Sequence, residues 1–193
     1  YMRIFILALV LIFGLQSWTN ADDIGDFQIE GMGIGDSALD FYSKNEIKKN
    51  KKNYTKDKTF SVIEIQNFDS KMYDGIQLKY KTKDKNYKIQ GISGIVDCRN
   101  DLSICENIFE KIENELSDFF GNRVEKSKKK TKKHSADKSG KSFTTSIYFH
   151  FKNGDRASIQ MIDWSNEIGY WDHLRISIGT KEINYWYDNK AYK

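Results

Sequence analysis

The sequence predicts an α+β protein in which an antiparallel sheet is backed by two helices. Two stretches have apolar residues at helical spacing, and six short stretches have the alternation or apolar density of strands. Their order is helix, three strands, helix, three strands, and strands in direct succession pair as antiparallel meanders. We therefore expect two helix-plus-antiparallel-meander repeats, over 27–97 and 98–181, within a single domain over 22–193.

Both predicted helices begin at a capping residue. The first spans 37–49 and starts at Ser37, whose hydroxyl can accept a hydrogen bond from the first turn. The second runs from 101 to 120, with Asn100 or Asp101 as its cap. Its apolar stripe consists of Leu102, Ile104, Cys105, Ile108, Phe109, Ile112, Leu116, Phe119 and Phe120.

The predicted strands form two similar hairpins. They span 60–68, 75–81, 87–96, 143–152, 156–164 and 174–180. Apolar alternation in the first hairpin recurs 70 or 71 residues later in the second, which predicts a duplication. A register that keeps apolar residues on one face pairs Phe149 with Ile159 and Phe151 with Ala157. The residues that share the opposite, polar face are Tyr148, His150, Lys152, Ser158 and Gln160.

The first 21 residues have the pattern of a secretory signal peptide. An apolar run of twelve residues, 4–15, follows Arg3, and the small-x-small site 19–21 precedes two acids. A membrane span needs about 20 apolar residues, so we expect cleavage after Ala21 and no stable span afterwards. The expected location is the bacterial periplasm or the exterior.

Export changes the interpretation of the two cysteines. In an oxidising compartment Cys98 and Cys105 are candidates for a disulfide, although two buried thiols or a redox pair remain alternatives. Their spacing differs from the C-x-x-C of thioredoxin-like catalysis.

The opening segment I-E-G-M-G-I-G-D-S-A-L-D, residues 29–40, carries a resemblance. It is similar to uncharacterised small exported bacterial proteins that begin I-E-G-M-x-I-G-D-S. Together with the strand order, it resembles the helix-then-meander modules of the β-lactamase-inhibitor-like and outer-membrane-assembly-lipoprotein families. The lipoprotein cysteine and the Gly-x-Pro that often follows the helix in the assembly family are absent. The resemblance implies an exported binding scaffold.

No catalytic set is predicted, and neither a metal nor a cofactor is expected. The G-x-G-x-x-A of residues 33–38 has acids around it and lacks alternating strands and helices, so it does not indicate a dinucleotide site. The alternative that stays open is a small secreted hydrolase or metal-dependent enzyme using Asp163, Asp172 and His173.

Positive charge is concentrated in two segments. The chain has a net charge of +4, yet 123–142 holds nine Lys or Arg and two acids, and 44–58 holds seven Lys and two acids. We expect 123–142 to be a flexible, solvated loop. The alternative is a binder of anionic lipid or polysaccharide through Lys126 to Lys141, and nucleic acid is not expected because the loop lacks aromatic residues. The candidate residues are Lys126, Lys128, Lys129, Lys130, Lys132 and Lys133.

Aromatic residues are concentrated near the C-terminus. Trp164, Tyr170 and Trp171 would form a sugar- or peptide-binding face if exposed together, and would be core if buried. The leading hypothesis is therefore an exported, non-enzymatic envelope protein that acts as a binding or interaction module. Its partner would be an unknown protein, an envelope polymer or an anionic surface.

Overall fold

The computed structural model describes residues 24–66, 70, 72–98 and 101–193. Its strands are β1 (Gln28–Ile29), β2 (Met32–Gly33), β3 (Lys51–Lys52), β4 (Phe60–Gln66), β5 (Gly75–Lys81), β6 (Ile89–Asp97), β7 (Val124–Lys126), β8 (Lys130–Lys133), β9 (Phe143–Phe151), β10 (Arg156–Asp163) and β11 (His173–Gly179). Its helices are α1 (Lys44–Lys49), α2 (Leu102–Phe120) and α3 (Lys181–Asn189). This mixture confirms the α+β prediction, and the predicted signal peptide lies outside the described residues. In the described part of the chain, no helix is long and apolar enough to cross a membrane.

Nine of the strands form one antiparallel sheet. Its order is β3-β4-β5-β6-β11-β10-β9-β7, and β8 also pairs with β9. The meander β4-β5-β6 meets the meander β9-β10-β11 edge to edge, with Ile92 of β6 opposite Ile178 of β11. The sheet thus contains the two predicted meanders side by side, while their origin by duplication stays a prediction.

The register of the second hairpin differs from the prediction by two residues. Phe149 lies opposite Ala157, and Ile147 lies opposite Ile159. The reason is the turn, in which the backbone N–H of Phe151 donates to the carbonyl of Asp155 at 3.0 Å. A shift of two residues leaves every side chain on its predicted face, since side chains alternate with a period of two.

One face of the sheet packs against α2 and forms the main core. Strand residues such as Ile76, Leu78, Ile159 and Ile176 are buried there. The α2 residues that meet them are Cys105, Phe109, Ile112, Leu116 and Phe120, which lie at helical spacing as the stripe predicted.

A disulfide and a cap hold the start of α2. The structure joins Cys98, just after β6, to Cys105 in the second turn of α2, with their Cα atoms 5.9 Å apart. The Asp101 carboxylate accepts from the backbone N–H of Ser103 at 2.9 Å, which settles the choice of cap.

The predicted helix over 37–49 is wrong as one element. The chain forms a 3₁₀ turn at Ala38–Asp40 and then the short α1, because Ser43 is extended and makes a capping box with Glu46. Of the two predicted helices, only α2 forms as one continuous helix in the described residues. Helix α3, which the sequence did not predict, packs across the face of the sheet opposite α2.

The segment 123–142 is not a continuous loop. It contains β7 and β8, which pair with β9 at the edge of the sheet. Lys130 lies opposite Ser146, and Lys132 lies opposite Thr144. The lysine-rich sequence therefore has fixed positions along the edge of β9 that β10 leaves free.

Candidate ligand-binding groove

The face of the sheet opposite α2 is polar, and we call it the groove face. Strand pairing brings one polar residue from each of six neighbouring strands into a row across it. In order from β4 to β9 these residues are Glu64, Gln77, Ser93, Ser177, Ser158 and Tyr148. The prediction that Tyr148, Ser158 and Gln160 share a polar face is confirmed, but this face is partly covered rather than simply solvated.

Aromatic side chains stand around this polar floor and enclose a groove of about 1160 Å³. Tyr170 and Trp171 are 62% and 59% exposed, and both line the groove. The aromatic residues of the groove walls are Tyr54, Trp164, Tyr170, Trp171, Tyr187 and Tyr192. A groove of this size, with aromatic walls and a hydrogen-bonding floor, has room for an extended polar ligand.

The loop between β10 and β11 carries three of these aromatic residues. Its base is closed by Asp172, whose carboxylate accepts from the backbone N–H of Trp164 at 2.6 Å. The Trp164 ring lies 4.2 Å from the His134 ring and 4.9 Å from the Tyr170 ring, measured between centroids. The Trp164 indole N–H is buried and has no hydrogen-bond partner within the described residues. The loop therefore presents a packed aromatic cluster with one unused donor.

Asp137 stabilises the part of the groove wall that contains His134. Its carboxylate accepts from the backbone N–H groups of Ser139 and Ser142, at 2.8 and 3.0 Å, and from two serine hydroxyls. One of these hydroxyls belongs to Ser165, so Asp137 joins the turn after β8 to the loop after β10. The hydrogen bonds hold the pKa of Asp137 well below its usual range.

Helix α3 closes the opposite end of the groove. It begins at Thr180, and Trp186 anchors it against Phe60 with 5.2 Å between ring centroids. Gly179 permits the close approach, because a Cβ there would lie 2.8 Å from Cγ2 of Ile183. The helix thus brings Tyr187 to the groove wall.

Arg175 is the charged centre of the floor. It lies on β11 opposite Gln160 of β10, with Nε buried and without a partner in the described part of the chain. No described carboxylate forms an ion pair with it; its NH2 group lies 3.4 Å from Nε2 of His173. Burial first, and then the Arg175 charge, lowers the pKa of His134 and lowers that of His173 to about 4.

Lys79 is buried in the floor beside serines. Its Nζ donates to Oγ of Ser93, which lies 2.7 Å from Oγ of Ser177. Burial, reinforced by the Arg175 charge, lowers the pKa of Lys79 well below its usual value, because the charged amine loses water there. A serine hydroxyl beside an uncharged amine can act as the nucleophile of an acyl transfer, with the amine as its base. Ser93 is only 1% exposed, however, so its hydroxyl is not presented to a substrate.

Glu64 organises the far end of the floor. Its carboxylate accepts from the Tyr54 hydroxyl at 2.9 Å and from the side-chain amides of Gln66 and Gln77 at 3.0 and 2.6 Å. Burial raises the pKa of Tyr54 to about 12, and its hydrogen bond to Glu64 adds to the effect. Tyr54 therefore stays a neutral donor and a rigid part of the wall.

The alternative catalytic set is only partly brought together. Alternation along β10 places Asp163 on the side of Met161, facing away from the groove, whereas His173 on β11 shares the groove face with Arg175. Asp172 lies between them in sequence but is used by the Trp164 backbone. Among the described residues no three His, Cys, Asp or Glu side chains form a group that could hold a metal ion.

The predicted basic residues divide into two groups. Lys126 forms an ion pair with Glu113 of α2 at 2.7 Å, and Lys129 lies 5.0 Å above the Phe109 ring. The others line a second cavity of about 640 Å³ that shares His134 and Tyr148 with the groove. These are Lys128, Lys130, Lys132 and Lys133, and none has a carboxylate partner among the described residues.

Sequence reasoning placed Trp164, Tyr170 and Trp171 together but missed Arg175 and Lys79. The available signal was alternation, since both cations occupy polar-face positions between apolar residues in strands. Alternation alone places both cations on the polar face, which is ordinarily the solvated one, and so it does not reveal that this face is partly covered.

Comparison with known proteins gives no match: neither a family model, nor a curated protein, nor a solved structure matches the chain. The functional argument therefore depends on the groove itself.

Proposed function

We propose that this chain is an exported, non-enzymatic binding module that holds an extended, carbohydrate-like ligand in the groove. The observation that carries the proposal is the combination of exposed Tyr170 and Trp171 with a floor of hydroxyl and amide groups. Aromatic faces stack on the apolar faces of sugar rings, while hydroxyl and amide groups exchange hydrogen bonds with sugar hydroxyls.

Export is part of this proposal. The apolar run and small-x-small site near the N-terminus support it, and so does the disulfide between Cys98 and Cys105, since such bonds persist in oxidising compartments. A binding role in the bacterial periplasm or outside the cell agrees with these features.

The enzymatic alternative has less support. Asp163 faces away from the groove, and the Ser93 hydroxyl beside Lys79 is covered. A catalytic group must come within hydrogen-bond reach of the atoms that react. The binding role needs no such convergence, so it accounts for more of the described geometry.

Tryptophan fluorescence tests the proposal. Trp164 and Trp171 line the groove, so titration with a maltooligosaccharide or with a uronate oligosaccharide from alginate should shift the emission of the protein. Trp171→Ala should weaken binding about tenfold, as loss of one stacking contact of about 1–1.5 kcal/mol implies. Tyr185→Ala is the matched control, since Tyr185 is exposed but does not line the groove. Absence of binding for both oligosaccharides, or equal binding by Trp171→Ala, would reject a groove function.

A further inference from the structure

We infer that the ligand of the groove is an acidic polysaccharide whose carboxylates bind Arg175 and the lysines of β8, an inference that rests on the proposed function. The first observation is the state of Arg175. A guanidinium with a buried, unpartnered Nε and no ion pair among the described residues is rare in a folded protein. A carboxylate is the planar anion that its fork of donors matches.

The second observation is the row that strand pairing builds from Arg175 to the edge of the sheet. Arg175 lies opposite Gln160, Gln160 opposite Ser146, and Ser146 opposite Lys130. Directly opposed residues share a face, so all four belong to the groove face. The row therefore has a cation at each end and neutral hydrogen-bonding residues between them.

A second row lies beside the first and also ends at a lysine. His173 lies opposite Ile162, Ile162 opposite Thr144, and Thr144 opposite Lys132. Lys130 and Lys132 line the second cavity, which continues the groove past His134 and Tyr148. A chain that lies on the groove face can therefore extend across the strands onto the lysine edge.

The distance between the charges and the groups between them select the class of polymer. Three strand spacings separate β11 from β8, which places the backbones of Arg175 and Lys130 about 14 Å apart. Any polyanion that spans this distance places a middle charge over the neutral Gln160 and Ser146, so the groups between the charges distinguish one polymer class from another. A uronate chain carries free hydroxyl groups on each ring beside its carboxylate, and these can exchange hydrogen bonds with the Gln160 amide and the Ser146 hydroxyl, whereas a DNA strand has no free hydroxyl between its phosphates.

Acidic side chains at the far end of the groove fix the direction of the ligand. Glu64 and Asp74 line the groove on the β4 and β5 side, where they repel a polyanion, and Asp97 lies directly opposite His173. The lysines lie on the β8 side. An acidic chain is therefore expected to run from Arg175 toward Lys130 and to leave the region around Glu64 empty.

The test uses calorimetric titration of the full chain with three probes: a uronate oligosaccharide from alginate, a maltooligosaccharide of equal length and a deoxythymidine oligomer. The uronate should bind most tightly. Arg175→Gln should weaken it about tenfold or more, since a hydrogen bond to a charged group is lost, and Arg175→Lys should lose less. Circular dichroism of each variant reports whether the fold is retained.

The exposed lysines provide variants that do not disturb the floor. Replacing Lys130 and Lys132 together by Gln should weaken uronate binding about threefold to tenfold at about 50 mM NaCl, and the difference should vanish near about 500 mM. Replacing Lys83 and Lys85 by Gln removes the same charge from a loop outside both cavities and should change binding less than about twofold.

Three kinds of result would contradict the proposal, and each rejects a different part of it. Equal affinity for the maltooligosaccharide, or uronate binding unaffected by the Lys130 and Lys132 change, overturns the acidic class while leaving a carbohydrate groove in place. Equal or tighter binding of the deoxythymidine oligomer overturns the polysaccharide assignment in favour of a general polyanion site. Failure of all three probes to bind rejects the groove function itself.

Discussion

Gly94 on β6 lies under the ring of Tyr73, and a methyl group there would collide with it. An ideal Cβ at Gly94 would lie 2.3 Å from Cε1 and 2.7 Å from Cζ of Tyr73. Carbon atoms in contact are normally about 3.5–4.0 Å apart, so the ring would have to move by more than about 1 Å. The ring packs against the main core, which leaves little room for such a movement.

The substitution Gly94→Ala should therefore lower the free energy of unfolding. Overpacking of this kind destabilises the folded chain by about 1–3 kcal/mol. Replacing Gly by Ala also lowers the conformational entropy of the unfolded chain, which offsets about 0.4–1 kcal/mol of that loss. For a chain of this size a net loss of about 1–2 kcal/mol lowers the Tm by about 2–8 °C. Denaturant unfolding followed by fluorescence, with the disulfide intact, measures the change.

Two companion variants separate the ring contact from a general effect of adding a methyl group. Gly91→Ala on the same strand adds a Cβ whose nearest atoms, Cδ of Lys79 and the carbonyl oxygen of Ile178, lie 3.3 and 3.4 Å away, so it should cost about 1 kcal/mol or less. In a Tyr73→Leu background, Gly94→Ala should cost about 1 kcal/mol less than in the natural chain. A wild-type stability for Gly94→Ala, or an equal cost in both backgrounds, would refute the packing argument.

Three further predictions concern His173, helix α3 and the disulfide. Burial lowers the pKa of His173 to about 4 in the folded chain, so His173 of the unfolded chain is protonated first as the pH falls. The free energy of unfolding should therefore fall by up to about 1.4 kcal/mol per pH unit between about pH 6.5 and pH 4. His173→Gln should flatten that part of the profile, and an unchanged slope would contradict it. Trp186→Ala should lower the free energy of unfolding by about 3–5 kcal/mol and speed amide hydrogen exchange in α3. Tyr185→Ala, at an exposed position of the same helix, should lower it by less than about 0.5 kcal/mol. Similar losses for the two variants would count against Trp186 as the anchor of α3. Replacing Cys98 and Cys105 by Ser should lower the free energy of unfolding by about 2–3 kcal/mol. The variant is compared with the natural chain, measured with and without reductant. Equal stability of the variant and the oxidised natural chain would argue against the disulfide.

The long helix and the central strands could be predicted from the sequence because their signals are local. Strand β5 has the predicted bounds, since its residues alternate strictly between apolar and polar. Helix α2 has a full apolar stripe and a capping aspartate, Asp101. In both elements the packing of the folded chain agrees with the local preference.

Helix α3 and the groove depend on contacts that are distant in sequence. The segment 181–189 contains two tyrosines and a tryptophan, residues that favour strands. It forms a helix because Thr180 caps its N-terminus and Trp186 packs against Phe60. Likewise, alternation shows that Arg175 leaves the core face, but it cannot show which loops stand above it. The fold class was therefore predictable, whereas the covering of the polar face was not.

The two lysine-rich segments of the sequence are the two edges of the sheet. One edge is β3, formed by Lys51 and Lys52, and the other is β8, formed largely by lysines. An open edge offers unpaired backbone groups to any other strand, and like charge on both edges opposes the approach of a second copy. The same lysines that we assign to an acidic ligand thus also limit self-association, and a fully bound ligand would neutralise that protection at one edge only.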